Sequence, residues 1–137
     1  MVKKELKETM LKKIEERSFG VGDISQYMQV FVSLANESED ISFEVEGWNR
    51  TLKFDLKGHK NFSLDIEGGK FSTNNHLEEP DLTLKCDGDV AAKVLTGQID
   101  ATSAYMSGDL KVVGALPDAV KFRTIVELVR EQLEDEW

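Results

Sequence analysis

Between residues 41 and 86 the apolar side chains keep a period of two. Ile41, Phe43 and Val45 alternate with Ser42, Glu44 and Glu46. Leu52, Phe54 and Leu56 alternate with Thr51, Lys53 and Asp55. The same holds for Phe62, Leu64 and Ile66 against Ser63, Asp65 and Glu67, and for Leu82, Leu84 and Cys86 against Asp81, Thr83 and Lys85. Successive side chains of a strand point to opposite faces, so each run predicts a strand with one apolar and one solvated face. Such a sheet must cover its apolar face with a second layer. Gly47, Gly58 and Gly68-Gly69 mark the turns, and Gly68-Gly69 predicts a tight hairpin into a short strand over 70–73. The short spacings predict antiparallel neighbours, because a parallel return needs a long crossover.

The covering layer comes from the two ends of the chain. Val2, Leu6, Met10 and Ile14 recur every fourth residue and predict a helix over 2–17 with one apolar stripe. Asp23, with Gln26 at capping-box spacing, opens a second helix that runs to about Ala35 and is apolar nearly all round. After Cys86 the helical period returns over 89–96 and 100–106. A last strand at 110–113 carries adjacent Val112 and Val113, which predicts that both its faces are covered. A final helix starts near Pro117 and carries a wide apolar face. The sum is an α+β fold: a curved, mostly antiparallel sheet with N- and C-terminal helices packed on one face. The 137 residues suit a single domain, 1–137, with a real core, and 40% hydrophobic residues suit a packed chain.

Charge and composition narrow the function. A net charge of −9 argues against a nucleic-acid partner, whose binders carry a basic footprint. The lone cysteine, Cys86, allows no intrachain disulfide, and the opening MVKKELKETMLKK lacks the apolar run of a secretory signal. No stretch approaches the roughly 20 apolar residues of a membrane helix. These features predict a cytoplasmic protein. No metal or cofactor is expected: His59 and His76 lack ligand spacing, and no glycine pair forms a phosphate-binding loop. Asp65 and Glu67 read as solvated carboxylates, Cys86 as a small inward hydrophobe, and Ser103 and Ser107 lack a nucleophile-elbow context. No catalytic constellation is legible, so an enzyme is not expected. The C-terminal half instead carries a surplus of apolar side chains, which either fill the core or leave a cavity for an apolar ligand.

The order of motifs in that half resembles the sterol carrier protein 2 family. Leu95-Thr96-Gly97 resembles its helix end, and Tyr105-Met106 its short helix holding an aromatic. Gly108-Asp109-Leu110-Lys111-Val112-Val113-Gly114 resembles its glycine-initiated strand, and Ala119-Val120-Lys121-Phe122 its last helix. Upstream, EEPDLTLKCDGD resembles the family's acidic loop and strand, and ISFEVEG with WNRTLKFDLKG its first two strands. The resemblance implies a sheet of five or six strands and a hydrophobic tunnel between sheet and helices. It implies non-enzymatic binding and transfer of a fatty acid, fatty acyl-CoA, sterol-like or isoprenoid lipid. Tyr105, Met106, Leu116, Val120, Ile125 and Val129 are the candidate lining residues, with Met28 and Phe31 from the second helix.

The implied partners are a lipid ligand and, through the weakly basic N-terminal helix, a transient membrane contact. An alternative role is an accessory protein that presents a lipid or quinone-like substrate to a partner enzyme. A third reading, a small acyl-ester hydrolase, finds no nucleophile–base pair in the sequence. Three departures from the family pattern are expected to matter: the C-terminal EDEW is no peroxisomal signal of the kind eukaryotic carriers have, Pro117-Asp118 replaces small residues, and the acidic tail after Val129 is longer and more charged.

Overall fold

A computed structural model describes residues 4–135. The helix α1 (Lys4–Glu15) leads through a 3-10 turn (Val21–Asp23) to α2 (Ile24–Glu37) and α3 (Glu39–Glu44). Strands β1 (Arg50–Lys57), β2 (Phe62–Glu67), β3 (Lys70–Asn74) and β4 (Leu82–Asp87) follow. The chain ends with α4 (Gly88–Leu95), α5 (Ala101–Ser107), β5 (Leu110–Gly114) and α6 (Leu116–Asp135). The strands form one sheet in the order β3-β2-β1-β4-β5.

The alternation expected of β1, β2 and β4 is realised. Leu52, Phe54, Leu56, Leu64, Ile66, Leu82 and Leu84 are buried on the inner face. The helices cover that face: Tyr27, Phe31 and Leu34 of α2 and Ile125, Val129 and Leu133 of α6 are fully enclosed. Phe54 stacks on Phe62 at 4.8 Å, and its edge meets Phe122 of α6 at 5.6 Å, joining sheet to helix. Met10, Leu11 and Ile14 turn the apolar side of α1 into the same core. Val2, the first member of that predicted stripe, lies outside the described residues.

Four sequence expectations are corrected. Residues 41–45 belong to a helix, α3, and its C-cap. Ser38 Oγ accepts the Ile41 N–H at 3.2 Å, and Glu39 and Asp40 place negative charge in the first turn, where the helix dipole favours it. Ile41 and Val45 are both inward, but four residues apart suits a helix turn as well as a strand. Phe43 settles the matter: as a strand residue it would share their face, yet it is 80% exposed. Second, β1 and β4 pair in parallel, Phe54 beside Leu84. The intervening hairpin and loop supply the crossover, so short local spacings did not govern this pair. Third, β5 is an edge strand, and Val113 is 63% exposed rather than covered. Fourth, Asp23 does not form the expected cap. Its carboxylate accepts the Gly20 N–H at 2.9 Å and pairs with Lys13 at 2.6 Å, closing the 3-10 turn onto α1.

The outer face is less bare than period two alone predicts. The loop after β3 crosses it: the His76 N–H donates to Ser63 Oγ at 3.1 Å, and His76 Nδ1 lies 2.6 Å from Asp65 Oδ2. Ser63 is fully buried as a result, and Asp65 is half-buried rather than solvated. At the other edge, the Asn36 amide accepts the Phe71 N–H at 2.7 Å and donates to its carbonyl at 3.0 Å. That pair of bonds covers part of the open edge of β3.

Candidate functional site

The C-terminal half leaves a gap between the inner face of the sheet and α4, α5 and α6. Two glycines fix its frame. Gly88 opens α4 where a Cβ would lie 2.9 Å from Val21 and 3.1 Å from the Lys57 carbonyl, so the helix can start close under the 3-10 turn only without a side chain. Gly114 ends β5 at φ +129°, with Asp81 O 2.7 Å from where a Cβ would stand. This close approach lets the chain leave the sheet and turn directly into α6.

The start of α6 is held by a polar knot. Asp118 accepts Trp48 Nε1–H at 2.8 Å and Arg50 Nε–H at 3.0 Å. Arg50 and Lys121 each lie within 6 Å of the Trp48 ring centroid. Partial burial works against the charge of Asp118, but the two hydrogen bonds outweigh it and hold the carboxyl below the usual carboxylate value. Pro117-Asp118, a departure from the family pattern, therefore anchors the helix.

The cavity encloses about 290 Å³, close to the lower end of the range for small-molecule pockets. The sheet contributes Phe54, Leu84, Leu110 and Val112, α4 contributes Ala91, Val94 and Leu95, and α6 contributes Leu116, Ala119, Phe122 and Val126. Tyr105 and Ala101 of α5 form another wall. Its charged lining groups are Asp100, Arg123 and Glu127. Asp100 caps α5, its Oδ2 accepting the Ser103 N–H at 3.2 Å, and its Oδ1 receives Arg123 Nε–H at 2.9 Å. The Arg123 bond holds the Asp100 carboxyl below its ordinary value.

Cys86 also lines the cavity. Burial, with Asp87 beside it, pushes its thiol up to about 11, so it is a neutral wall group at pH 7 and no thiolate nucleophile. Among the described residues no cluster of His, Cys, Asp and Glu could hold a metal ion. No helix among them is long and apolar enough to cross a membrane.

Of the sequence-predicted lining residues, the structure brings Tyr105, Leu116 and Val120 together on this cavity. Phe31, Ile125 and Val129 are fully buried in the main core and are not among its walls. Met28 is buried at the border of a second, more open and polar groove. Met106 is 80% exposed and outside the lining. In the polar groove Ser25 Oγ lies 3.3 Å from His59 Nε2, and His59 Nδ1 lies 2.7 Å from the Lys60 carbonyl. This pair ties the β1–β2 turn to the start of α2, and no carboxylate among its hydrogen-bond partners backs the imidazole. Sequence reasoning missed Asp100, Arg123, Glu127, the whole of the sheet wall and the wall from α4. The signal was available for the helix residues: Leu116, Ala119, Val120, Arg123 and Glu127 share one face of α6, offset from the Phe122, Ile125, Val129 and Leu133 face.

The sequence model of the SCP-2 sterol transfer family matches residues 24–127. The chain belongs to this family. Solved SCP-2 structures share the fold. Sterol carrier protein 2 from Yarrowia lipolytica, in its apo form, is 19% identical with a TM-score of 0.61; the match covers 77% of this chain and 91% of that one. The UbiJ-SCP2 ubiquinone synthesis protein is 17% identical with a TM-score of 0.64, covering 74% and 90%. The sec-alkylsulfatase Pisa1 from Pseudomonas sp. also contains the fold, at 18% identity and a TM-score of 0.53. There the match covers 64% of this chain but 14% of the enzyme. No curated protein matches the chain in sequence. The SCP-2 match spans α2 through most of α6, and so takes in every residue lining the cavity.

Proposed function

We propose that this chain binds one apolar lipid in the cavity and transfers it without a covalent step. The observation that carries this reading is an apolar cavity whose mouth is ringed by exposed apolar side chains. Tyr105, Leu116 and Val120 line it and are also open to solvent. A lipid chain entering there would move between Leu84, Leu110, Phe122 and Val126, gaining about 0.8 kcal/mol for each methylene removed from water. The walls supply no nucleophile paired with a base, so the bound lipid would leave as it came.

Membrane contact fits the mouth better than the N-terminal helix, because α1 spends Met10, Leu11 and Ile14 on the core. A bilayer meeting the exposed Met106, Leu116 and Val120 would give the lipid a dry route out. Native mass spectrometry of the freshly purified protein, followed by denaturation and identification of what is released, tests the proposal. A single lipid per chain is expected. A clean apo mass with no uptake from an added lipid mixture would overturn it.

A second reading, presentation of the lipid to a partner enzyme, is supported by the likeness to the UbiJ-SCP2 ubiquinone synthesis protein. It predicts an enzyme that co-purifies with the chain and loses turnover on a membrane-bound substrate when the chain is removed.

A further inference from the structure

The rim of the cavity holds its cation in a closed arrangement. Arg123 reaches Asp100 Oδ1 through Nε at 2.9 Å and through Nη2 at 2.8 Å, and Nη2 lies 3.6 Å from Glu127 Oε1. No lysine and no second arginine lines the cavity among the described residues. One guanidinium therefore faces two carboxylates, and the rim is left with an excess of negative charge. The neutral Cys86 thiol adds no positive charge, and the remaining polar lining groups, Thr102 and the Tyr105 hydroxyl, are uncharged donors and acceptors.

We infer that the cavity selects lipids with an uncharged head, such as a hydroxyl or carbonyl, and rejects carboxylate, phosphate and sulfate heads. This inference rests on the lipid-binding reading above. An anionic head at the rim would have to take Arg123 from Asp100, or sit beside Asp100 and Glu127 without a partner. Either is unfavourable: the Arg123, Asp100 and Glu127 side chains are 42%, 41% and 59% exposed, so the opposition is charge repulsion and loss of the Arg123 pairing, screened in part by solvent. A hydroxyl can donate to either carboxylate and accept from Thr102 or Tyr105 without disturbing the ion pairs. The net charge of −9 adds a long-range repulsion of the same sign.

The test displaces the uncharged dye Nile red from the protein with 1-decanol and with decanoate at pH 7.4. Decanol is expected to displace the dye at a concentration at least about tenfold lower. Because a carboxylate is harder to desolvate in any pocket, the decisive comparison is with the double variant Asp100→Asn, Glu127→Gln. Asn still caps α5, so the helix is kept. Arg123 is then free, and decanoate is expected to gain several-fold relative to decanol. Equal displacement by both lipids in the original protein, or a ratio unmoved in the variant, would overturn the inference and leave lipid binding intact. Failure of the dye and both lipids to bind would reject lipid binding itself, and this inference with it.

Discussion

Single side chains set the conditions under which this fold holds. Asp118 and Asp23 both have carboxyls held below their ordinary value, each by hydrogen bonds that outweigh partial burial. A carboxyl depressed in the folded state stabilises fully above its unfolded pKa of about 4, and that contribution drains away as pH falls through the folded value. Thermal melts should therefore show stability dropping below about pH 4. Asp118→Asn should flatten part of that drop, and an unchanged acid limb would remove Asp118 from the account. Gly114→Ala should destabilise by roughly 2 kcal/mol or more, since φ is +129° and Asp81 O stands where the methyl would go. A melting temperature within error of the original would show that the β5–α6 turn can shift.

At the scale of elements, α6 carries two faces with separate duties, which explains why its apolar surface is wider than one core stripe. Ile125→Ala, on the enclosed face, should cost about 2–5 kcal/mol in denaturant unfolding. Val120→Glu, on a 60% exposed position at the mouth, should leave stability within about 0.5 kcal/mol and still lower lipid uptake. If both variants lose stability alike, the division of the helix fails. The sequence shows the width of this apolar surface but does not divide it, because composition around a helix says nothing about what each side meets. The same limit explains the error at 41–45. Ile41 and Val45 fit both periods, and only the Ser38 cap and the fate of Phe43 select the helix. Strands β1, β2 and β4 show the same three alternations as 41–45, so local period alone did not separate them from that helix; they differ in lacking a Ser38-type cap and in burying every apolar member of the run at least in part.

For the whole molecule, long-range pairing was the least legible feature. The parallel contact of β1 with β4 joins segments whose local patterns carry no register for one another. The sites were partly legible for the same reason: Tyr105, Leu116 and Val120 lie near each other in sequence, whereas Phe54 reaches the cavity from the far side of that pairing. Ligand binding should act on the whole chain, with a lipid at about 100 times its Kd raising stability by about 2.7 kcal/mol, visible as a higher melting temperature. A melting temperature that stays fixed as lipid is added would exclude binding to the native state. One element stands apart in this respect. Helix α5 is 7 residues long, buries Ala104 alone, and borrows its cap from the residue that also holds Arg123. Its local opening should require far less free energy than global unfolding, so its amides should exchange with solvent well before those of β1 and β4. If that exchange is seen, α5 is the wall of the cavity most easily loosened, held shut in part by the Asp100–Arg123 pair, while the sheet behind it stays whole.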